Sequence, residues 1–119
     1  DVYGHRRGDE VLRRVAMRLR RGSRPSDVVA RYGGDEFMVV LPGVPKAAAV
    51  DTAERLRRSV ETHPLVLGDE EVASVTLSMG VASFPDDGQT VDALVEAVDR
   101  AQYAAKRSGG NRVRVAHGA

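Results

Sequence analysis

Apolar residues recur at helical spacing in three separate parts of this chain. From Asp9 to Arg21 they lie three and four positions apart, with arginines on the opposite face. The same period appears from Lys46 to Glu61 and from Thr90 to Gly109. Asp9 and Thr90 are residue types that suit the N-cap of a helix, and Gly22 suits a C-terminal stop. The pattern therefore predicts three amphipathic helices.

Strict alternation of apolar and polar residues, or β-branched runs, predicts strands between these helices. The run from Val28 to Leu41 is interrupted by Gly33-Gly34, and such a pair between two strands is typical of a β-hairpin. A longer strand region is predicted over Val72–Phe84, and edge strands over 65–67 and 112–116. Strands mixed with helices around a hairpin predict an α+β fold, with helices covering a mostly antiparallel sheet.

Length and charge favour one domain and do not favour a nucleic-acid partner. The chain has 119 residues, and its 18 Lys plus Arg against 17 Asp plus Glu leave a net charge of +1. Arginines are concentrated in the first quarter, where they are typical of a solvated helix face; a salt-sensitive nucleic-acid surface is the alternative. The arginines are Arg6, Arg7, Arg13, Arg14, Arg18, Arg20, Arg21 and Arg24.

Cysteine content and hydropathy exclude further classes. With no cysteine, the chain has neither disulfides nor a cysteine-ligated zinc site, and it is compatible with a cytosolic setting. No apolar run reaches the length of a membrane span, and no cleavable signal pattern is present. We therefore expect a cytoplasmic domain without a membrane segment.

Two carboxylates, Asp35 and Glu36, directly follow the glycine pair of the hairpin. A turn without Cβ atoms lets a phosphate or a metal ion approach the backbone closely, and carboxylate oxygens are ligands for hard cations. The alternative is an ordinary polar turn, since turns are usually solvated. Successive strand residues point to opposite faces, so the two carboxylates are expected to have different roles.

The pentapeptide Gly33-Gly34-Asp35-Glu36-Phe37 is the signature of the GGDEF family, the diguanylate cyclases, and the chain resembles this family along nearly its whole length. Gly4 to Leu12 looks like the family's helix entry. Ser78 to Ala82 and Ala104 to Arg112 are similar to its last strand pair and closing helix. The resemblance implies a central sheet wrapped by helices, related to the palm of nucleotide cyclases and polymerases. Family members open with an additional strand carrying an Asp, followed by an Asn, so we expect residues 1–119 to be one GGDEF domain that lacks its first strand.

The resemblance implies that two GTP molecules are joined into cyclic di-GMP with release of two pyrophosphates. Asp35 would bind Mg²⁺ (or Mn²⁺), and Glu36 would bind a second metal ion or help to deprotonate the attacking hydroxyl. Gly33 and Gly34 would let the backbone reach the phosphates. These roles identify the hairpin turn as the expected catalytic site.

Asp9 and Lys106 are the expected substrate-binding residues outside the hairpin. The family residue that matches Asp9 accepts hydrogen bonds from guanine, and a carboxylate suits the parallel N1–H and N2–H donors of that base; helix capping is the alternative. Lys106 matches a lysine that contacts the β and γ phosphates, although a solvated lysine at a helix C-terminus is common. Four residues further on, this chain has Gly110 where many relatives carry an assisting Arg, and Arg107 or Arg112 is a possible replacement.

Arg24 and Asp27 form an R-x-x-D motif that ends five residues before the signature, the spacing of the family's product-inhibition site. The guanidinium fork can engage guanine or phosphate oxygens while the carboxylate takes guanine N–H groups. A local surface ion pair is the alternative. Arg55 matches a family residue that completes such a site from a partner domain.

The expected partners follow from this resemblance. They are GTP as substrate, cyclic di-GMP as product and inhibitor, and a second copy of the domain, because each domain holds one GTP. Activity is expected in the intact parent, which can be membrane-anchored through upstream segments, and not in this stretch alone. The main alternative is an inactive GGDEF domain that senses cyclic di-GMP or GTP.

Overall fold

The computed structural model describes residues 2–68 and 70–117. Within these residues the helices are α1 (Val2–Arg21), α2 (Lys46–Thr62) and α3 (Val91–Arg107). The strands are β1 (Val28–Gly33), β2 (Glu36–Val40), β3 (Leu65–Val66), β4 (Val72–Ala73), β5 (Ser78–Val81) and β6 (Arg112–Val115). The α+β class predicted from the pattern is confirmed.

The first helix is longer than predicted, and its start changes the interpretation of Asp9. Helix α1 begins at Val2, so Asp9 lies in the helix interior, and its predicted N-cap role is wrong. The intervening Gly8 does not end the helix, because an interior glycine costs only about 1 kcal/mol relative to alanine. By contrast, Thr90 caps α3 as predicted, since its Oγ1 accepts a hydrogen bond from the Ala93 N–H at 3.1 Å.

The strands pair in three two-stranded sheets within the described residues. Strands β1 and β2 are antiparallel, as are β3 and β4, whereas β5 and β6 are parallel. The single long strand predicted over Val72–Phe84 is wrong in extent. Its two ends pair with different partners, β4 with β3 and β5 with β6, and the segment between them is not strand. Alternation of side chains could not reveal this change of partner.

The main hydrophobic core joins the first two helices to the β-hairpin. Its buried members come from α1, α2 and the β3 region: Val15, Leu19, Leu56, Leu65 and Leu67. Val29 of β1 and Phe37 of β2 pack against this cluster. The inner face of the hairpin is therefore anchored on α1, and this packing fixes where the hairpin turn lies relative to that helix.

Helix α3 packs on β5 at very short range. A Cβ on Gly80 would lie 2.5 Å from the backbone carbonyl oxygen of Val98 and 2.5 Å from the backbone nitrogen of Gln102, so only glycine fits there. Small residues form the second buried cluster beside it: Ala97, Ala101 and Ala116. Val91, the first residue of α3, lies outside this packing and is 78% exposed.

Candidate functional site

The turn of the hairpin consists of Gly34 and Asp35. Gly33 pairs with Glu36 across the ladder, so these two residues connect the strands. Gly34 has a φ of +23°, while Gly33 does not adopt a positive φ, so the left-handed conformation is needed at only one of the two glycines. The register shifts between Arg31 and Gly33, which leaves a bulge at the end of β1.

Both carboxylates of the signature are exposed at this turn. Asp35 is a turn residue and Glu36 is the first residue of β2. Neither glycine has any atom within 4 Å of the position that a Cβ would occupy, so the space above the turn is open. A ligand can therefore approach the backbone of the turn closely, and both carboxylates are accessible to solvent.

Arg31 binds this turn through its side chain. Its Nε donates a hydrogen bond to the carbonyl oxygen of Gly34 at 2.8 Å, and its Nη2 donates to the same oxygen. That carbonyl belongs to the peptide group that leads into Asp35. The guanidinium consequently constrains the turn from the β1 side.

An open cleft of about 510 Å³ separates the exposed face of α1 from the hairpin. Its lining residues are charged: Arg6, Asp9, Glu10, Arg13 and Arg31. The carboxylate of Glu10 accepts hydrogen bonds from the backbone N–H of Gly68 at 2.6 Å and from Arg14 at 3.5 Å. Because Arg31 contacts the hairpin turn and also lines the cleft, it connects the surroundings of Asp9 to the signature.

Arg24 and Asp27 form a tight pair at the opposite end of the hairpin. Asp27 Oδ1 accepts hydrogen bonds from Arg24 Nε at 3.0 Å and from Nη2 at 2.7 Å, and Oδ2 accepts one from the Arg24 backbone N–H at 2.8 Å. The side-chain hydrogen bond from Arg24 lowers the pKa of the Asp27 carboxyl. The Asp27 side chain is 2% exposed and that of Arg24 is 51% exposed, so the guanidinium is the accessible part of the pair.

Arg24 and Arg55 each also contact a backbone carbonyl next to this pair. Arg24 Nη2 donates to the carbonyl oxygen of Pro42 at 2.9 Å, directly after β2. Arg55 of α2 donates from Nη2 to the carbonyl oxygen of Gly22 at 2.8 Å. The structure thus brings Arg55 to the turn that carries the R-x-x-D motif within one chain.

Lys106 lies on the last turn of α3, exposed, and is not among the residues that line the cleft beside Asp9. Its neighbour Arg107 donates from Nη1 to the Tyr103 hydroxyl at 3.2 Å, with its guanidinium carbon 5.7 Å from the ring centroid. Tyr103 itself is 60% exposed. Arg112 instead folds back, donating from Nε to the carbonyl oxygen of Gly110 at 3.1 Å.

The family model described as "Diguanylate cyclase, GGDEF domain" matches residues 1–112. The chain belongs to the GGDEF family. The resemblance carried by the signature pentapeptide is therefore confirmed for nearly the whole chain.

Proteins similar to this GGDEF domain are known from several bacteria. Diguanylate cyclase A of Treponema denticola is 42% identical over 113 residues, which are 95% of this chain and 30% of that protein. The crystal structure of the GGDEF domain of YfiN (TpbB) from Pseudomonas aeruginosa matches with a TM-score of 0.91 and 40% identity, over 96% of this chain and 71% of that one. The GGDEF domain of DgcB from Caulobacter crescentus, solved in complex with c-di-GMP, matches with a TM-score of 0.84 and 36% identity, over 97% and 68% of the two chains. The chain thus spans about a third of the length of the curated relative.

The two carboxylates of the signature match what Mg²⁺ requires in this family of sites. In the described ranges, no group of three or more His, Cys, Asp or Glu residues is arranged to hold a metal ion. Mg²⁺, however, is usually held by one or two carboxylates together with waters and substrate phosphates, without a complete protein cage. The exposed carboxylates of Asp35 and Glu36 are ligands of the type and number that Mg²⁺ takes from a protein.

The carboxylates of the GGDEF turn were identified from the sequence, but Arg31, whose side chain holds the turn, was not. Arg31 stands three residues before Gly34 and contacts it across the turn. An arginine at that spacing before a glycine turn was the available signal, but a strand arginine is usually solvated.

None of the helices of 2–68 and 70–117 combines the length and apolar character needed to cross a bilayer.

Proposed function

We propose that this GGDEF domain is the catalytic domain of a diguanylate cyclase, which condenses two GTP molecules into cyclic di-GMP and two pyrophosphates. The observation that carries this proposal is the intact Gly33-Gly34-Asp35-Glu36 turn, which is exposed and has open space above both glycines.

The proposed reaction is two phosphoryl transfers. In each, the 3′-hydroxyl oxygen of one GTP attacks the α-phosphorus of the other, the bond to pyrophosphate breaks, and the hydroxyl proton leaves to a base or to water. A bound Mg²⁺ or Mn²⁺ supplies charge neutralisation on the phosphates. Asp35 would hold that ion, and Glu36 would bind a second ion or accept the proton. Gly33 and Gly34 would allow the phosphates to lie against the backbone.

Asp9 and Lys106 complete the proposed substrate contacts. Asp9 lies in the interior of α1 and lines the cleft, which supports the proposal that it accepts the N1–H and N2–H donors of guanine. Lys106 would contact the distal phosphates. Since one domain would bind one GTP, we propose that activity requires two copies facing each other as a homodimer.

We also propose product inhibition at Arg24 and Asp27, with Arg55 from a partner domain completing the site. The exposed guanidinium of Arg24 suits phosphate or guanine oxygens, and Arg55 lies beside the same turn. The DgcB domain, which this chain resembles, was solved with c-di-GMP bound.

The decisive experiment incubates the full-length protein that carries this chain with radiolabelled GTP and Mg²⁺. We expect cyclic di-GMP from the wild type and about 100-fold less from Asp35→Ala. The reason is that the metal ion that neutralises the reacting phosphates would lose its protein ligand. Asp51→Ala, an exposed aspartate of α2, is the matched control and should retain activity. Equal product from Asp35→Ala and the wild type would reject the assignment.

The second candidate is a GGDEF domain that binds cyclic di-GMP or GTP without turnover. Gly110, at the position where many relatives have an arginine, is the observation in its favour. Binding of cyclic di-GMP by a full-length protein that makes no product from GTP and Mg²⁺ would support it over the enzyme.

A further inference from the structure

The backbone of the hairpin turn has few restraints of its own. Gly34 has a φ of +23° and no side chain, and nothing lies within 4 Å of the Cβ position at either glycine. Glycine has the largest conformational freedom of any residue, so a turn built on it does not by itself hold the next residue in one orientation. Asp35 is that next residue.

Arg31 supplies the missing restraint. Its Nε and Nη2 both donate to the carbonyl oxygen of Gly34, with the Nε contact at 2.8 Å. Within the described ranges no other side chain makes a hydrogen bond to Gly33, Gly34 or Asp35. Two donors on one oxygen define both the direction and the tilt of that carbonyl group better than a single donor does.

When this carbonyl group is held, the backbone N–H and Cα of Asp35 are held as well. The peptide group between Gly34 and Asp35 is planar and trans, so its N–H points away from its C=O. When Arg31 holds the oxygen on the β1 side, the Asp35 N–H is directed away from Arg31, and the position of the Asp35 Cα is defined. The orientation of the Asp35 carboxylate is thereby limited to the few rotamers available from that one backbone position.

Arg31 also lies on the wall of the cleft. It lines the same space as Asp9, and its remaining nitrogen, Nη1, has no hydrogen-bond partner within the described part of the chain. The guanidinium therefore stands between the proposed base-binding residue and the proposed metal-binding turn. An apolar side chain of similar length could line the cleft but has no N–H group to donate to the carbonyl.

We infer that Arg31 is a positioning residue, which holds the Gly34–Asp35 peptide so that the Asp35 carboxylate is preorganised for the metal and the phosphates. This inference rests on the proposed function of the hairpin. Groups that orient a metal ligand without touching the metal typically cost 10- to 100-fold in activity or metal affinity when removed. The expected defect is therefore one of kcat and magnesium dependence, and not of GTP binding.

The kinetic test compares three forms of the full-length protein: the wild type, Arg31→Met and Arg31→Lys. For Arg31→Met we expect kcat to fall about 10- to 100-fold and half-saturating Mg²⁺ to rise, with the KM for GTP changed less than about 3-fold. Arg31→Lys, which keeps one charged donor, should recover part of the loss. Arg100→Gln is the matched control, because Arg100 is an exposed arginine whose ion pair with Glu96 lies on α3. An unchanged kcat, or a raised KM at unchanged kcat, would overturn the inference.

A second measurement does not depend on activity. Amide NMR order parameters of Gly34 and Asp35, recorded without nucleotide or metal, should fall from rigid values near about 0.85 towards about 0.6 in Arg31→Met. They should stay unchanged in Arg100→Gln. Unchanged values in Arg31→Met would overturn the inference even if the enzyme were impaired. A wild type that makes no cyclic di-GMP would instead overturn the proposed function, and the order parameters would still decide whether Arg31 holds the turn.

Discussion

Lys46 and Asp87, which are 41 residues apart in the sequence, form an ion pair whose carboxylate is buried and whose ammonium is partly buried. Lys46 Nζ lies 2.9 Å from Asp87 Oδ1 and 2.8 Å from Oδ2, and the Asp87 side chain is completely buried. Lys46 also donates to the carbonyl oxygen of Ala116 at 2.6 Å, and Asp87 accepts from the Ser83 backbone N–H at 2.8 Å. The start of α2, the turn after β5 and the end of β6 are therefore connected by one fully hydrogen-bonded pair.

Removing one partner of this pair should destabilise the domain strongly. For Asp87→Ala we expect the free energy of unfolding to fall by about 3 kcal/mol, because Lys46 and the Ser83 N–H lose their buried acceptor. Glu96→Ala removes one partner of an exposed ion pair and should cost less than about 1 kcal/mol. Urea unfolding of both variants measures the difference, and equal losses would contradict the importance of burial here.

The free energy of unfolding should fall in acid, partly because the Asp87 carboxylate becomes protonated. Burial raises the pKa of its carboxyl, but the hydrogen bonds from Lys46 and from Ser83 outweigh this effect, and the pKa lies below its ordinary value. A carboxyl with a lower pKa in the folded state stabilises the protein above its unfolded pKa of about 3.9, and this contribution is lost as the pH falls below that value.

The pH dependence can be measured as unfolding free energy between pH 2 and pH 7. Asp87→Asn should show a shallower decline below about pH 4 than the wild type. Some decline should remain, because the pKa values of Asp27, Glu54 and Glu61 are also lowered by arginine or asparagine partners. Identical slopes for the variant and the wild type would show that Asp87 does not titrate in this range.

Arg24→Ala should abolish most cyclic di-GMP binding at the proposed inhibitory site. Loss of a charge-assisted contact of about 1.5–3 kcal/mol corresponds to about 10- to 100-fold in affinity. Calorimetry gives the affinity, with Arg21→Ala, an exposed arginine at the end of α1, as control. Because Arg24 also holds the carbonyl of Pro42, the unfolding midpoint of each variant is recorded as well. Undiminished affinity in a folded Arg24→Ala would remove the site.

Gly80→Ala should loosen the contact between α3 and β5. The added methyl would lie 2.5 Å from two backbone atoms of α3, and overpacking of this kind costs about 1–3 kcal/mol. Gly8→Ala is the opposite case, because nothing lies within 4 Å of its Cβ position and alanine favours the helix. The midpoint temperature of thermal unfolding should therefore be lower for Gly80→Ala and higher for Gly8→Ala than for the wild type. A shift of the same sign in both would contradict this packing.

Substitutions of the two cations at the end of α3 and of Arg112, the first residue of β6, should have separable effects. Lys106→Met should raise the KM for GTP about 10-fold, the loss of roughly one charge-assisted phosphate contact. Arg112→Gln should raise it further, since the Arg112 guanidinium lies over Gly109 and Gly110. Arg107→Gln should leave KM unchanged, because Arg107 is directed to Tyr103. A larger effect of Arg107→Gln than of Arg112→Gln in steady-state kinetics would reverse this assignment.

Much of the fold was accessible from local pattern alone. The second helix begins at Lys46 as predicted, Thr90 caps the third, and the hairpin forms around the glycine pair. These features depend on residues close together in sequence, whose periodicity, capping chemistry and backbone freedom act locally. The signature and its neighbouring motifs were equally visible, because the residues that carry them are contiguous.

Tertiary structure decided what depends on distant partners. It split Val72–Phe84 into strands with different neighbours and showed Asp9 to be an interior residue of α1. It brought Lys46 to Asp87, and it placed Arg55 beside the turn of Arg24. It also showed Arg31 holding the Gly34 carbonyl, a contact between residues close in sequence that lies beside the bulge at the end of β1. Sequence periodicity reports which face of an element is apolar, whereas the identity of each partner is settled only when those faces pack together.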